Sequence, residues 1–263
     1  MTQLAFELRT NTPQPLIAPL AERVEADGYR SLWVNHPPDD DGIGQLAVMA
    51  VATTRITLGT AVVPISAVPP DAILRRVEET GLPPERLRLG IGSGFGPEPL
   101  RRMADAVSYL RARTPAEIVV GALGPRMAEL GATLADAVLL NTVTPELARA
   151  AAERIRGQAK AAGRPVPGVY VNVMVAMGAG QIAELEGSAA FLSRLPAYAA
   201  HFRRTGVHPQ QTWIAARQLS ELPRLLAPWH DTVDEVVLVP VNAGEAGPAR
   251  DLADAAIAAF SAG

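Results

Sequence analysis

Residues 117–141 read EIVVGALGPRMAELGATLADAVLLN, and the stretch passes from strand to helix and back to strand. Residues 117–123 form an apolar run of strand length. Gly124 and Pro125 then open a helix, because the fixed φ and missing N–H of proline suit a first helical turn. Gly131 is expected to stop that helix. The run AVLLN, residues 137–141, is the next strand. Strand, crossover helix and strand in so short a unit imply parallel neighbours joined by a right-handed connection.

The same unit repeats in both directions. Upstream, strands are expected at 4–8, 31–35, 56–65 and 86–93; downstream, at 169–177 and 236–241. Helices are expected at 15–28, 44–54, 71–80, 98–113, 144–162, 181–204 with a break near Pro196, 209–226, and 248–260. Thr144, Pro145 and Glu146 give the clearest helix start: a hydroxyl cap, a first-turn proline and an acid beside it. The strands are apolar almost throughout, as burial on both faces requires. Eight strands alternating with helices over 263 residues fit an α/β fold of the (β/α)8 TIM-barrel type, for which ~250 residues is typical. A doubly wound open sheet competes. It calls for a glycine fingerprint after its first strand, and residues 10–14 contain no glycine. The expectation is one barrel domain spanning residues 1–263.

Composition narrows the function. The net charge is −3 and no block of like charges occurs, which argues against nucleic-acid or membrane partners recruited by charge. With no cysteine, disulfides, thiolate metal sites and thiol nucleophiles are excluded, and four histidines make a protein-built metal site improbable. No signal peptide is read at the start and no apolar run has the length of a membrane span, so a cytoplasmic location is expected. Only Lys160 among the 24 basic residues is lysine, and alanine abounds. That bias is of the kind GC-rich, actinobacterial genomes impose.

In such barrels chemistry gathers at the C-terminal ends of the strands. Those ends carry Asn35 and His36, residues 61–64, 92–96 and 122–126, Asn141 and Thr142, and Asn242. The set holds no carboxylate pair for glycoside hydrolysis, no HExxH, no nucleophile elbow and no Walker A sequence. Gly90, Gly92, Gly94 and Gly96 alternate instead of forming GxGxxG. They mark either a tight turn or a close backbone approach to a flat or phosphorylated ligand. Gly124 and Pro125 mark either simple helix initiation or a helix start whose free N–H groups face the barrel mouth as an anion site, to which Arg126 adds charge. His36 is the histidine at a strand end. His201, His208 and His230 are expected in surface or packing roles. Glu7 interrupts an apolar strand; facing the interior it needs a partner, so it is expected near a strand boundary.

Four stretches, GYRSLWVNH (28–36), ATTRITLGTAVVPI (52–65), RLRLGIGSGFG (86–96) and VVGALGPRMAELGATLADAVLLN (119–141), together resemble the luciferase-like monooxygenase superfamily. The likeness covers most of the chain, in order, and is nearest to the F420-dependent oxidoreductase branch. It implies a barrel that binds the deazaflavin F420, or alternatively FMN, and passes hydride to or from a small organic substrate. It implies further that His36 lies beside the reactive ring edge, as the catalytic residue, and that Asn35 contacts the cofactor. Ala61, Val62, Val63, Ser93 and Gly94 line the ring, and Leu123 and Gly124 offer backbone to the phosphate. A non-proline cis peptide is implied at Ala61–Val62, and a homodimer is common among members.

Two departures stand out. Sugar-phosphate dehydrogenases of that branch carry an acid where this chain has Phe95, which is expected instead to close the pocket by apolar contact. The segment 96–115 is also short, where most members have a longer excursion over the site. Three functions therefore remain: an F420-dependent oxidoreductase or its FMN-dependent monooxygenase alternative; a non-catalytic binder of the same cofactor; and a different phosphate-binding barrel. The last is weakened by the lack of strand-end lysine and carboxylates.

Overall fold

The structure is a computed structural model describing residues 1–241 and 246–261, so Asn242 lies outside the described residues. Among the described residues ten strands form: β1 (Gln3–Leu8), β2 (Ser31–Val34), β3 (Thr57–Thr60), β4 (Val63–Pro64), β5 (Leu87–Gly92), β6 (Glu117–Ala122), β7 (Ala137–Asn141), β8 (Gly168–Met177), β9 (Ile214–Ala216) and β10 (Glu235–Pro240). Eight of them make the barrel, in the order β1-β2-β3-β5-β6-β7-β8-β10, and β10 closes the ring by pairing in parallel with both β8 and β1. The short β4 continues the path of β3 and pairs with β5, while β9 adds to the C-terminal end of β8.

The helices are α1 (Gln14–Ala26), α2 (Gly42–Ala52), α3 (Pro70–Thr80), α4 (Pro99–Arg111), α5 (Pro125–Leu134), α6 (Pro145–Ala161), α7 (Gly178–Leu192), α8 (Pro196–Thr205), α9 (Leu222–Leu226) and α10 (Ala246–Ser261). Local chemistry sets many of their ends. Thr144 Oγ1 accepts the Leu147 N–H, Asp41 caps α2 by accepting the Gly44 N–H at 2.9 Å, and Gly81 ends α3 at φ 66°.

Strand alternation divides the apolar residues into two layers. Leu4, Phe6 and Leu8 of β1 face the helices with Leu32, Val34, Leu89 and Ile91. Ala5, Trp33, Val119, Leu139, Tyr170 and Val237 fill the barrel interior. At the N-terminal end of the interior, Arg88 lies between the rings of Tyr170 and Trp33 and pairs with Glu235 at 2.8 Å and Glu117 at 2.9 Å. Buried charge persists here because each member has partners: Tyr170 donates to Glu117, and Ser31 donates to Glu235.

Three elements differ from expectation. The helix α5 passes through Gly131 to Leu134, since a Cβ there would stand 2.6 Å from Val138; the glycine admits the helix to the sheet rather than stopping it. The strand expected at 56–65 divides into β3 and β4 around a cis peptide at Ala61–Val62, the bond the resemblance implies. The helix expected at 209–226 is replaced by a 3-10 turn at Pro209–Thr212, β9, a second 3-10 turn at Leu219–Glu221, and α9. The apolar Ile214–Ala216 is drawn into the sheet opposite Val175, Ala176 and Met177.

Candidate active site

The C-terminal mouth of the barrel assembles from neighbouring strand ends. Asn35 follows β2, and its Oδ1 accepts the Thr10 N–H at 2.8 Å, tying the ends of β1 and β2 together. His36 comes next and is 7% exposed. Its Nδ1 accepts the Gly42 N–H at 3.2 Å, which puts the imidazole proton on Nε2. Gly42 makes that contact possible, because a Cβ there would stand 2.6 Å from the Asn35 carbonyl. Burial pushes the His36 imidazole below its ordinary value, against an opposing pull from Asp41 and Asp40. It is therefore a neutral donor rather than a stored proton.

The break between β3 and β4 aims Val62 into the barrel. Its methyls stand where side chains at Gly92 and Gly121 would be, 2.7 and 3.1 Å from the Cβ positions, and Gly90 adds further clearance. Gly92 and Gly121 thus make room for a valine, and Ala61 and Val62 pack on the interior cluster. Val63 does not join them. It is fully buried in the outer layer facing the helices.

Ser93 and Gly94 follow β5 on an exposed loop. Gly94 has φ 59°, Ser66 Oγ accepts the Phe95 N–H at 3.1 Å, and Arg102 donates to the Phe95 and Pro97 carbonyls, both at 3.0 Å. So held, the loop turns Phe95 outward, 77% exposed. The expected pocket-closing contact of Phe95 is not formed.

A second cluster sits at the start of α5. Gly124 caps the helix without a side-chain bond, and the Leu123 carbonyl accepts from Arg204 at 2.9 Å. His201 bridges two strand ends, its Nδ1 2.5 Å from the Leu123 carbonyl and its Nε2 2.8 Å from that of Thr142. A cavity of about 300 Å³ opens here, lined by Gly124, Arg154, His201 and Arg204 among others. Arg126, in the first turn of α5, is exposed and has no carboxylate partner among the described residues.

Two functional candidates escaped the sequence reading. His201, expected in a surface or packing role, is 3% exposed and joins α8 to the mouth. The available signal was the length of chain between the strands at 169–177 and 236–241, far longer than the other connections. That segment now supplies a cover: Leu192, Phe202 and Trp213 lie over Asn141, Asn172 and Met174. Glu7 is the other. It lies one residue from the end of β1, near the boundary as expected, yet is 1% exposed, accepting from Asn172 Nδ2 at 3.3 Å, with Arg9 Nη1 at 3.9 Å. Burial pushes its carboxyl up to about 7, against the pull of Arg9 and the Asn172 bond. Asn172 Oδ1 is buried without a partner.

Comparison with solved structures finds the same architecture over the whole chain. An F420-dependent secondary alcohol dehydrogenase in complex with an F420-acetone adduct superposes with a TM-score of 0.76 at 13% identity, covering 98% of both chains. The coenzyme F420 dependent tetrahydromethanopterin reductase from Methanopyrus kandleri gives 0.74 at 15% identity, over 98% of this chain and 99% of that one. EDTA monooxygenase from Chelativorans sp. BNC1 gives 0.75 at 12% identity, over 100% and 94%. No curated protein sequence matches the chain. The sequence model of the luciferase-like monooxygenases matches residues 103–259, more than half of the chain and the part that carries α5, the cover and the closing strand. The protein belongs to the luciferase-like monooxygenase family, a family of oxidoreductases.

Proposed function

We propose that the protein is an F420-dependent oxidoreductase that moves hydride between the deazaflavin and a small organic substrate. The observation that carries the choice of cofactor is the cationic cavity at the start of α5. Arg154, His201 and Arg204 line it, and Arg126 stands on the adjoining helical turn. One phosphate needs the helix N-terminus and at most one arginine. Further arginines suit the carboxylates of an oligoglutamate tail. Arg101, which also stands near these loops, is held in an ion pair with Glu98 at 2.6 Å, and Arg102 is spent on loop carbonyls.

The residues present fit such a group. Val62 with Ala61 forms an apolar shelf for a flat ring, beside the strand ends that carry Asn35 and His36, while Leu123 and Gly124 lie at the anionic end. Bound there, F420 supplies or takes hydride. His36 holds an Nε2–H at the ring edge, Ser93 and Gly94 border the mouth, and the cover formed by α7, α8 and β9 limits water. A single barrel of residues 1–263, working in the cytoplasm on a small molecule without nucleic-acid or membrane partners, as a homodimer, completes the proposal. Among the described residues no helix is long and apolar enough to cross a membrane.

Fluorescence titration with F420 and FMN side by side tests the reading. F420 should bind at least ~10-fold more tightly, about 1.4 kcal/mol. Equal or tighter binding of FMN returns the protein to the flavin-dependent monooxygenases. Binding of F420 without turnover on any acceptor makes it a carrier.

A further inference from the structure

The inward face of β1 carries an acid that hydride transfer itself does not use. Glu7 is one residue from the end of β1, and the next residue, Leu8, pairs with Val34, so Glu7 adjoins the strand end bearing Asn35 and His36. Its neighbours offer little to a structural carboxylate. Arg9 supplies the charge at 3.9 Å, with its own side chain 37% exposed. Inward residues of β2, Trp33 and Asn35, are uncharged, as are Asn172 of β8 and Val237 of β10. Among the described residues its one hydrogen bond, from Asn172, is long at 3.3 Å, and the same amide keeps its Oδ1 buried and unbonded. A buried acid so weakly compensated is costly to the fold unless the site uses it.

We propose that Glu7 is the group that exchanges the substrate's proton. As a carbonyl or imine carbon accepts hydride from the reduced cofactor, the π pair on its oxygen or nitrogen takes the proton of the Glu7 carboxyl. The O–H bonding pair stays on Glu7 as carboxylate, facing Arg9 and the Asn172 amide, and oxidation of an alcohol or amine runs the same transfer in reverse. This rests on the proposed function for its hydride donor. Burial brings the carboxyl to about 7, where both protonation states are populated at neutral pH.

The first test needs no cofactor. Carbon NMR of protein labelled at the glutamate carboxyls, titrated with pH, should show one group titrating near neutrality. Glu7→Gln should remove that signal, and Asn172→Ala should move it upward by deleting a bond to the charged form. In turnover with reduced F420, Glu7→Gln should lower kcat ~10²-fold or more, keep cofactor affinity, melt no lower than the natural protein, and lose the neutral limb of the pH profile. Ordinary titration of every glutamate, or full kcat in Glu7→Gln, overturns the inference while leaving cofactor binding intact. Failure to bind either cofactor overturns the proposed function and leaves the NMR titration standing.

Discussion

His36 and Glu7 stand at adjoining strand ends, and burial moves their proton affinities in opposite directions. Desolvation disfavours whichever form is charged, so it empties the imidazole and fills the carboxyl. For His36, with its folded value depressed, the contribution to stability is present above the ordinary histidine range and lost as pH falls through the folded value. His36→Ala should lower turnover by ~10²–10⁴-fold while costing about 1 kcal/mol of stability from the lost Gly42 contact. A large fall in melting temperature with unchanged specific activity makes His36 structural. For Glu7 the folded value is raised from 4.5 to about 7, so its contribution is full below 4.5 and is lost as pH rises to about 7. At ~1.4 kcal/mol per unit, that loss is about 3 kcal/mol. Urea unfolding at about pH 5 and about pH 8 should show Glu7→Gln gaining on the natural protein at the higher pH; equal pH slopes refute the shift.

Single helices and strands were legible where the signal is local. The cap at Thr144 and the proline beside it act within a few residues, and α6 starts where they predict; the helix expected at 71–80 likewise ends before Gly81. Glycine misleads because its reason lies elsewhere in the chain. Gly131 answers to Val138, Gly90 to the Thr60 carbonyl, and Gly92 and Gly121 to Val62, partners that no spacing rule reveals. Gly92→Ala should therefore cost ~1–3 kcal/mol by overpacking, since the new methyl would meet Val62 Cγ2 at 2.7 Å. Combining it with Val62→Ala removes the clash, and the double mutant should recover ~1 kcal/mol relative to the sum of the single changes. Simple additivity in chemical denaturation means that the shelf does not press on the glycines.

The barrel as a whole was readable because alternating strands and helices admit few topologies, and each strand needs only its neighbours. The cover was not, since its place is set by contacts 59 and 78 residues apart: His201 with the carbonyls of Thr142 and Leu123. The segment 96–115 is short, as read, and the connection after β8 reaches over the ends of β6 and β7. The helix α8, tied to the strand ends by a few polar contacts, opens more readily than a barrel held by eight continuous strand pairings. His201→Ala removes both bridges and strands the Thr142 carbonyl, worth ~1–3 kcal/mol where burial keeps water out, while the Leu123 carbonyl keeps its bond from Arg204. Hydrogen exchange should then speed in α8, Pro196–Thr205, while the amides of β5 and β6 keep their protection. Cofactor affinity should weaken in parallel, because Arg204 rides on the same helix and meets the same carbonyl. Uniform loss of protection across the barrel would instead make His201 a keystone of the fold, with the cover and the barrel opening as one unit.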